Sequence, residues 1–185
     1  MPEQKRPLKV FLCHASADKP KVRELYRYLK RRGVTPWLDA EDLIPGQHWQ
    51  IEIPKALNTS DAIIICLTKN SIDKEGYVQQ EIKFALDKAL EMPEERIFLI
   101  PALLEDCEVP YSLKDYQWVN LFEADGYSRL MKALKLRASQ LQRAEVDVSS
   151  QPAPVKPEQE NIANARVEIP IEEKKPVIIK EKETH

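Results

Sequence analysis

The first apolar run, Leu8-Lys9-Val10-Phe11-Leu12-Cys13, is short and continuous after a charged lead, and predicts a buried strand. Asp18 then stands where it can cap a helix with Pro20 in its first turn. Val22, Leu25, Tyr26 and Leu29 recur at helical spacing until Gly33, placed as a C′ residue. Val34-Thr35-Pro36-Trp37-Leu38 predicts a second short strand at a sheet edge, because Pro36 cannot donate to a ladder. Residues 39–47 form a polar loop around Pro45-Gly46. The next helix carries Trp49, Ile53, Ala56 and Leu57 on one face, with Pro54 inside it as a source of a kink or an early end. Residues 62–67 are a continuous apolar run around three β-branched isoleucines, typical of a central parallel strand covered on both faces. After a loop over 68–76, a helix over 77–90 has the stripe Val78, Ile82, Ala85, Leu86 and Ala89. Strands over 97–104 and 117–121 follow, then a last helix over 127–141 with Leu130, Leu134 and Leu141.

Strands alternating with helices imply an α/β fold with a parallel sheet and helices on both faces. Five strands suggest a flavodoxin-like, doubly wound sheet in the order 2-1-3-4-5, which puts the proline-bearing second strand at an edge. Ligands in such folds sit beyond the carboxyl ends of the strands, at the switch point between strands 1 and 3. The residues there are Cys13-His14-Ala15-Ser16 and Thr68-Lys69-Asn70-Ser71.

Composition limits the globular part. The three Trp, six Tyr and four Phe all fall between Phe11 and Tyr127. Residues 151–185 contain no aromatic, leucine or glycine, hold five prolines, and mix Lys with Glu. Such a segment buries too little apolar area to offset its ordering entropy. The expected organisation is a lead over 1–7, a domain over 8–142, and a disordered tail or linker over 143–185.

Net charge is -2, so no global basic field draws in nucleic acid or anionic lipid. Residues 1–9 are polar and basic with no apolar stretch behind them, so no secretory leader is expected. The longest apolar run, six residues, is far short of the roughly 20 that span a bilayer. Cys13, Cys66 and Cys107 lack C-x-x-C spacing and make no disulfide framework, which suits a reducing cytosol. The four glycines, Gly33, Gly46, Gly76 and Gly126, are too scattered for a phosphate-cradling G-x-G-x-x-G or P-loop.

Candidate chemistry narrows by elimination. A phosphorylation receiver has the same fold, but it needs an acidic pair after strand 1 and an aspartate after strand 3; His14-Ala15-Ser16 and Thr68 stand there instead. His14, His48 and His185 are scattered, and no His/Cys pair has metal-ligand spacing. A Ser-His-Asp or Cys-His triad is left open by composition, without a G-x-S-x-G elbow to carry it. Cys13 and Cys66 end apolar strands, where most cysteines are inert. Glu81 flanks the apolar stripe of its helix with Tyr77 at i-4, which by position alone describes an ordinary helix glutamate.

Several segments in order carry a family resemblance. Lys9-Val10-Phe11-Leu12-Cys13-His14-Ala15-Ser16-Ala17-Asp18 resembles the opening strand and loop of TIR (Toll/interleukin-1 receptor) domains, especially bacterial ones. Trp37-Leu38-Asp39 and Leu43-Ile44-Pro45-Gly46-Gln47-His48-Trp49 resemble their second strand and BB loop. Ser60-Asp61 through Thr68-Lys69-Asn70-Ser71 resembles the third strand and its serine-bearing loop, and Tyr77-Val78-Gln79-Gln80-Glu81-Ile82 resembles the W-x-x-x-E-[IL] segment, with Tyr77 in place of the tryptophan. The resemblance covers residues 8–141.

TIR domains include scaffolds that signal by association and enzymes that cleave NAD+ at the nicotinamide–ribose bond. The resemblance to the enzymes implies Glu81 as catalytic residue, and His14, Ala15, Ser16, Trp37, Asp39 and Tyr77 around the substrate. It implies self-association through the BB loop, with Asp42, Leu43, Ile44, Pro45, Gly46 and Trp49, in a homo-oligomer or with other TIR domains. NAD+ would be a substrate consumed rather than a cofactor, with no metal. The expected setting is cytoplasmic, in bacterial defence or stress signalling, and the tail could tether a further effector domain. A non-enzymatic TIR–TIR module is the alternative.

Overall fold

The computed structural model describes residues 4–72, 78–96 and 98–149, apart from the side chain of Glu81. The described residues all belong to one compact unit; the second, 155–185, lies outside the described residues, as does the expectation of a disordered tail there.

Five parallel strands build one sheet: β1 (Lys9–Cys13), β2 (Thr35–Trp37), β3 (Ala62–Leu67), β4 (Leu99–Leu103) and β5 (Val119–Asn120). Their order is β2-β1-β3-β4-β5. This is the expected flavodoxin-like topology, with Pro36 on an edge strand opposite Val10. The helices are α1 (Lys19–Arg31), the single-turn α2 (Asp39–Asp42), α3 (Trp49–Thr59), α4 (Gln80–Leu90) and α5 (Gly126–Gln140).

The period-2 alternation of strand side chains divides the core into two layers. Val10, Leu12, Ala62, Ile64 and Cys66 join Val22, Leu25 and Leu29 of α1 and Leu130 and Leu134 of α5. Phe11, Cys13, Ile63, Ile65 and Leu67 join Ala56 and Leu57 of α3 and Ile82, Ala85 and Leu86 of α4. All six residues of β3 are buried, because a central strand is covered on both faces.

Several local expectations need correcting. Pro54 does not end its helix: α3 continues to Thr59. Trp49, expected on that helix's apolar face, is 50% exposed at the helix's first turn, while Ala56 and Leu57 further along it are buried. Asp18 sits at the N-cap of α1 but makes no capping bond. It is 2% exposed and accepts the Thr68 hydroxyl at 2.7 Å, since a carboxylate buried here satisfies itself across the strand ends. The loop over 39–47 opens with the α2 turn. The helix expected from Tyr77 begins at Gln80, after Val78 makes an isolated antiparallel bridge to Ile72.

The packed chain also runs beyond residue 142, where the domain was expected to end. Arg143 grips Asp61, the Ala144 N–H donates to the Arg6 carbonyl at 3.0 Å, and Val146 is buried in the α1/α5 layer. Gly33 takes φ +77°, as its C′ place requires. Gly126 answers a different need: a Cβ there would lie 2.0 Å from the Asn120 carbonyl oxygen, so only glycine lets α5 start against β5.

Candidate functional site

At the carboxyl ends of β1 and β2 the sheet opens into a cavity of about 440 Å³ under α3 and α4. Strand alternation decides what lines it. Leu12 and Leu38 turn to the α1 side and are buried there, so Phe11 and Trp37 face the other way into the cavity. Their rings stack with centroids 4.9 Å apart and planes 12° from parallel. Across from them Trp49 of α3 meets Phe84 of α4 edge-to-face at 5.6 Å. Two aromatic pairs thus wall a space sized for a small molecule with a planar ring.

The polar lining is sparse: His14 and Ser16 after β1, Asp39 after β2, and Gln80 at the start of α4. His14 Nε2 lies 2.8 Å from Asp39 Oδ1, and Nδ1 lies 2.8 Å from the Ala15 carbonyl oxygen. Burial opposes a charge on His14, but the hydrogen bonds to Asp39 and Ala15 outweigh it, and its pKa stands above the usual histidine value. Burial likewise pushes Asp39 up, but the His14 hydrogen bond and charge, the Ala40 N–H and Lys19 prevail, and its carboxyl stays below the ordinary range. Both shifts favour the charged forms, an imidazolium facing a carboxylate.

The expected site residues divide as follows. His14, Ser16, Trp37 and Asp39 line the one cavity. Ala15 does not: it is 3% exposed, packed in the α3/α4 layer, and serves through its carbonyl. Tyr77 and Gly76 lie outside the described residues. Glu81 is the second residue of α4, and its side chain is likewise not among those described. In the expected self-association loop, Asp42 is tied inward, accepting the Leu38 N–H at 2.7 Å, and Leu43 lines the cavity. Ile44, Pro45, Gly46 and Trp49 are exposed, Ile44 by 63%.

The segment after β3 stands apart from the cavity. Thr68 and Ser71 are fully buried and cap their own turn reciprocally. The lining contributed by Phe11, Leu43, Ile53, Gln80 and Phe84 was not foreseen. Phe84 and Gln80 are spaced i, i+4 on the flank of the α4 stripe, a signal present in the sequence. Burial pushes the Cys66 thiol upward, and burial with Glu105 and Asp106 nearby pushes Cys107 up to about 11, which disfavours the thiolate at both. Among the described residues no three His, Cys, Asp or Glu side chains converge as a metal ion would require. Nor is any described helix long and apolar enough to cross a membrane.

A doubly wound α/β domain with a crevice beside its first strand is thus what the chain builds. The family model described as TIR domain matches residues 10–134, and the chain belongs to that family. Among solved structures it is similar to the TIR domain of the Toll-related receptor TRR-2 from Hydra magnipapillata, with TM-score 0.56 and 23% identity, covering 68% of this chain and 96% of that one. It is also similar to a prokaryotic SEFIR domain, with TM-score 0.53 and 18% identity, covering 69% and 92%. Both likenesses concern the fold. No curated protein matches the chain.

Proposed function

We propose that this TIR domain is an NAD+ glycohydrolase, cleaving the nicotinamide–ribose bond to give nicotinamide and ADP-ribose or a cyclic isomer, with Glu81 as catalytic residue. The observation that carries the reading is the aromatic-walled cavity at the carboxyl ends of β1 and β2, into which the first turn of α4 sends Gln80. An α-helix advances about 100° per residue. The position of Glu81 on α4 therefore falls within the arc spanned by Gln80, Phe84 and Ala85, which all line the cavity.

One carboxylate suffices for this reaction. A glycosidase needs a second, acidic group because its alkoxide leaving group must be protonated. Nicotinamide leaves a cationic pyridinium as a neutral molecule. What develops is positive charge on the ribosyl carbon, which a nearby anion stabilises in a water-poor site. Water then adds to that carbon, or a nitrogen of the same dinucleotide closes a ring. Stacked aromatic walls suit the planar pyridinium and release it once its charge is gone.

The measurement is nicotinamide release by concentrated full-length protein. Wild type is expected to release it, and Glu81→Ala to lose about two to three orders of magnitude in rate with unfolding unchanged. Absence of release by wild type, or release indifferent to Glu81→Ala, overturns the reading. The setting in this reading is cytoplasmic, as a bacterial defence or stress output, with residues 150–185 joining the domain to an effector or partner.

A second reading has its own support. Ile44 and Ile51 are each 63% exposed and Trp49 50%, an apolar rim around the BB loop that fits association with another TIR domain. It describes a scaffold if Glu81→Ala changes nothing, and assembly of the enzyme if both matter. Pro45→His is expected to reduce self-association, measured by sedimentation, without altering the fold.

A further inference from the structure

His14 was expected to touch the substrate, but its geometry assigns it another task. The Ala15 carbonyl can only accept, so Nδ1 carries a proton and donates to it at 2.8 Å. Asp39 Oδ1 accepts from Nε2 at 2.8 Å and from the Ala40 N–H at 2.7 Å. Both ring nitrogens are thereby spent, and the side chain is only 5% exposed, so no donor of His14 remains for a ligand. Asp39 is the reverse. Its side chain is 32% exposed, and Oδ2 accepts no hydrogen bond among the described residues, with the nearest cation, Lys19 Nζ, at 3.9 Å.

The other acids of α2 are held elsewhere: Glu41 by Arg23 at 2.6 Å, and Asp42 by the Leu38 N–H and more weakly by the Tyr26 hydroxyl. On α4 the titratable residues Lys83, Asp87 and Lys88 do not line the cavity. Asp39 is thus the one acidic side chain of the described lining, fixed through one oxygen and open through the other.

We infer that His14 is a positioning residue, whose two N–H groups lock the Asp39 carboxylate so that Oδ2 accepts hydroxyls of the ribose in a dinucleotide substrate. The inference rests on the NAD+ reading and deepens it by naming the group that recognises the sugar. A carboxylate oxygen with free lone pairs is the natural acceptor for a sugar hydroxyl, and a charged acceptor roughly doubles the strength of such a bond. Locking it in advance removes the ordering cost that a free side chain would meet on binding.

The test separates binding from cleavage. NAD+ affinity is measured by calorimetry on full-length Glu81→Ala protein, alone and with His14→Gln, Asp39→Asn or both. Asp39→Asn is expected to weaken binding about tenfold and His14→Gln somewhat less. The double variant is expected to match Asp39→Asn, because His14 acts only through Asp39. In parallel, ring-nitrogen NMR of the otherwise unsubstituted protein at pH 7 is expected to show both His14 nitrogens protonated, and one bare in Asp39→Asn. A neutral His14 in the wild type, additive effects, or unchanged affinity in Asp39→Asn overturns the inference. Absence of nicotinamide release by the wild type with NAD+ binding intact overturns the enzymatic reading alone, whereas absence of any NAD+ binding overturns both.

Discussion

Two aspartates stand at opposite ends of the sheet, each held by cationic side chains, and they are put to different uses. Asp61 precedes β3 at the amino ends of the strands. Its Oδ1 accepts from Arg6 at 2.9 Å and from Arg143 at 3.0 and 3.2 Å; its Oδ2 accepts from Arg6 at 2.8 Å and the Lys9 N–H at 2.9 Å. Even its carbonyl is taken, by Arg137 at 2.9 Å. The side chain is 5% exposed. Asp39, at the carboxyl ends, has one oxygen engaged and one open. A saturated carboxylate is a staple, tying the chain before β1 and after α5 to the central strand; a half-saturated one is equipped to meet a ligand.

The largest expected effect breaks the staple. Asp61→Ala leaves two guanidinium groups without their partner and the Lys9 N–H unsatisfied. Severing a fully buried pair costs roughly 3–5 kcal/mol, but Arg6 and Arg143 are 41% and 26% exposed and regain water, so about 2–3 kcal/mol is expected here. For a domain of this size that lowers Tm by roughly 5–10 °C. Asp39→Asn is expected to cost less than about 1 kcal/mol in the same measurement, since its partner shell is partial and a third of it is wet. Equal losses in the two variants would erase the distinction between staple and site.

Single removal of either guanidinium tests the same point at smaller scale. Arg6→Ala and Arg143→Ala are each expected to cost about 1 kcal/mol, because the remaining arginine still neutralises Asp61. Their double variant is expected to cost more than the sum, since among the described residues it leaves the buried carboxylate hydrogen-bonded only to the Lys9 N–H. Urea unfolding of the four proteins reads this coupling. Simple additivity would mean that the chain ends are held by apolar contacts such as that of Val146 rather than by Asp61.

How far the sequence discloses these two regions follows from the range of each signal. Strand order was legible because Pro36 demanded an edge and the 62–67 run demanded a centre, both consequences of local hydrogen bonding and burial. The cavity was half legible: His14, Ser16, Trp37 and Asp39 are placed by strand ends, which period-2 alternation locates. Phe84 and Gln80 come from α4, 67 or more residues after Phe11 or Cys13 in the chain, and nothing local says that their flank meets β1. The staple was illegible for the same reason. Arg6, Asp61 and Arg143 are separated by 55 and 82 residues, and each alone reads as an ordinary surface charge. The expected domain edge at 142 came from composition, which sees the missing aromatics but not that Val146 finds a buried place. Asp18 misled in the opposite way: it occupies a capping position, yet burial next to Thr68 gave its carboxylate a different partner.

The smallest expected effect, and the most selective, is the response of the two aspartates to pH. Hydrogen bonds and charge hold both carboxyls below their ordinary range against the upward push of burial. A group with a depressed folded pKa adds stability above its unfolded value, near 4, and loses it as pH falls through the folded value. Both contributions therefore fade in acid. At the alkaline end they part. The partners of Asp61 are guanidiniums, charged at any working pH, so its contribution persists. His14 has a raised pKa, so its contribution is full below about 6.5 and disappears as pH rises through the folded value. The Tm difference between wild type and Asp39→Asn is accordingly expected to shrink from pH 6 to pH 9, while that for Asp61→Ala stays level. A level Asp39→Asn difference over that interval would show that His14 is not the charged partner of Asp39, and the contrast between the two ends of the sheet would rest on exposure alone.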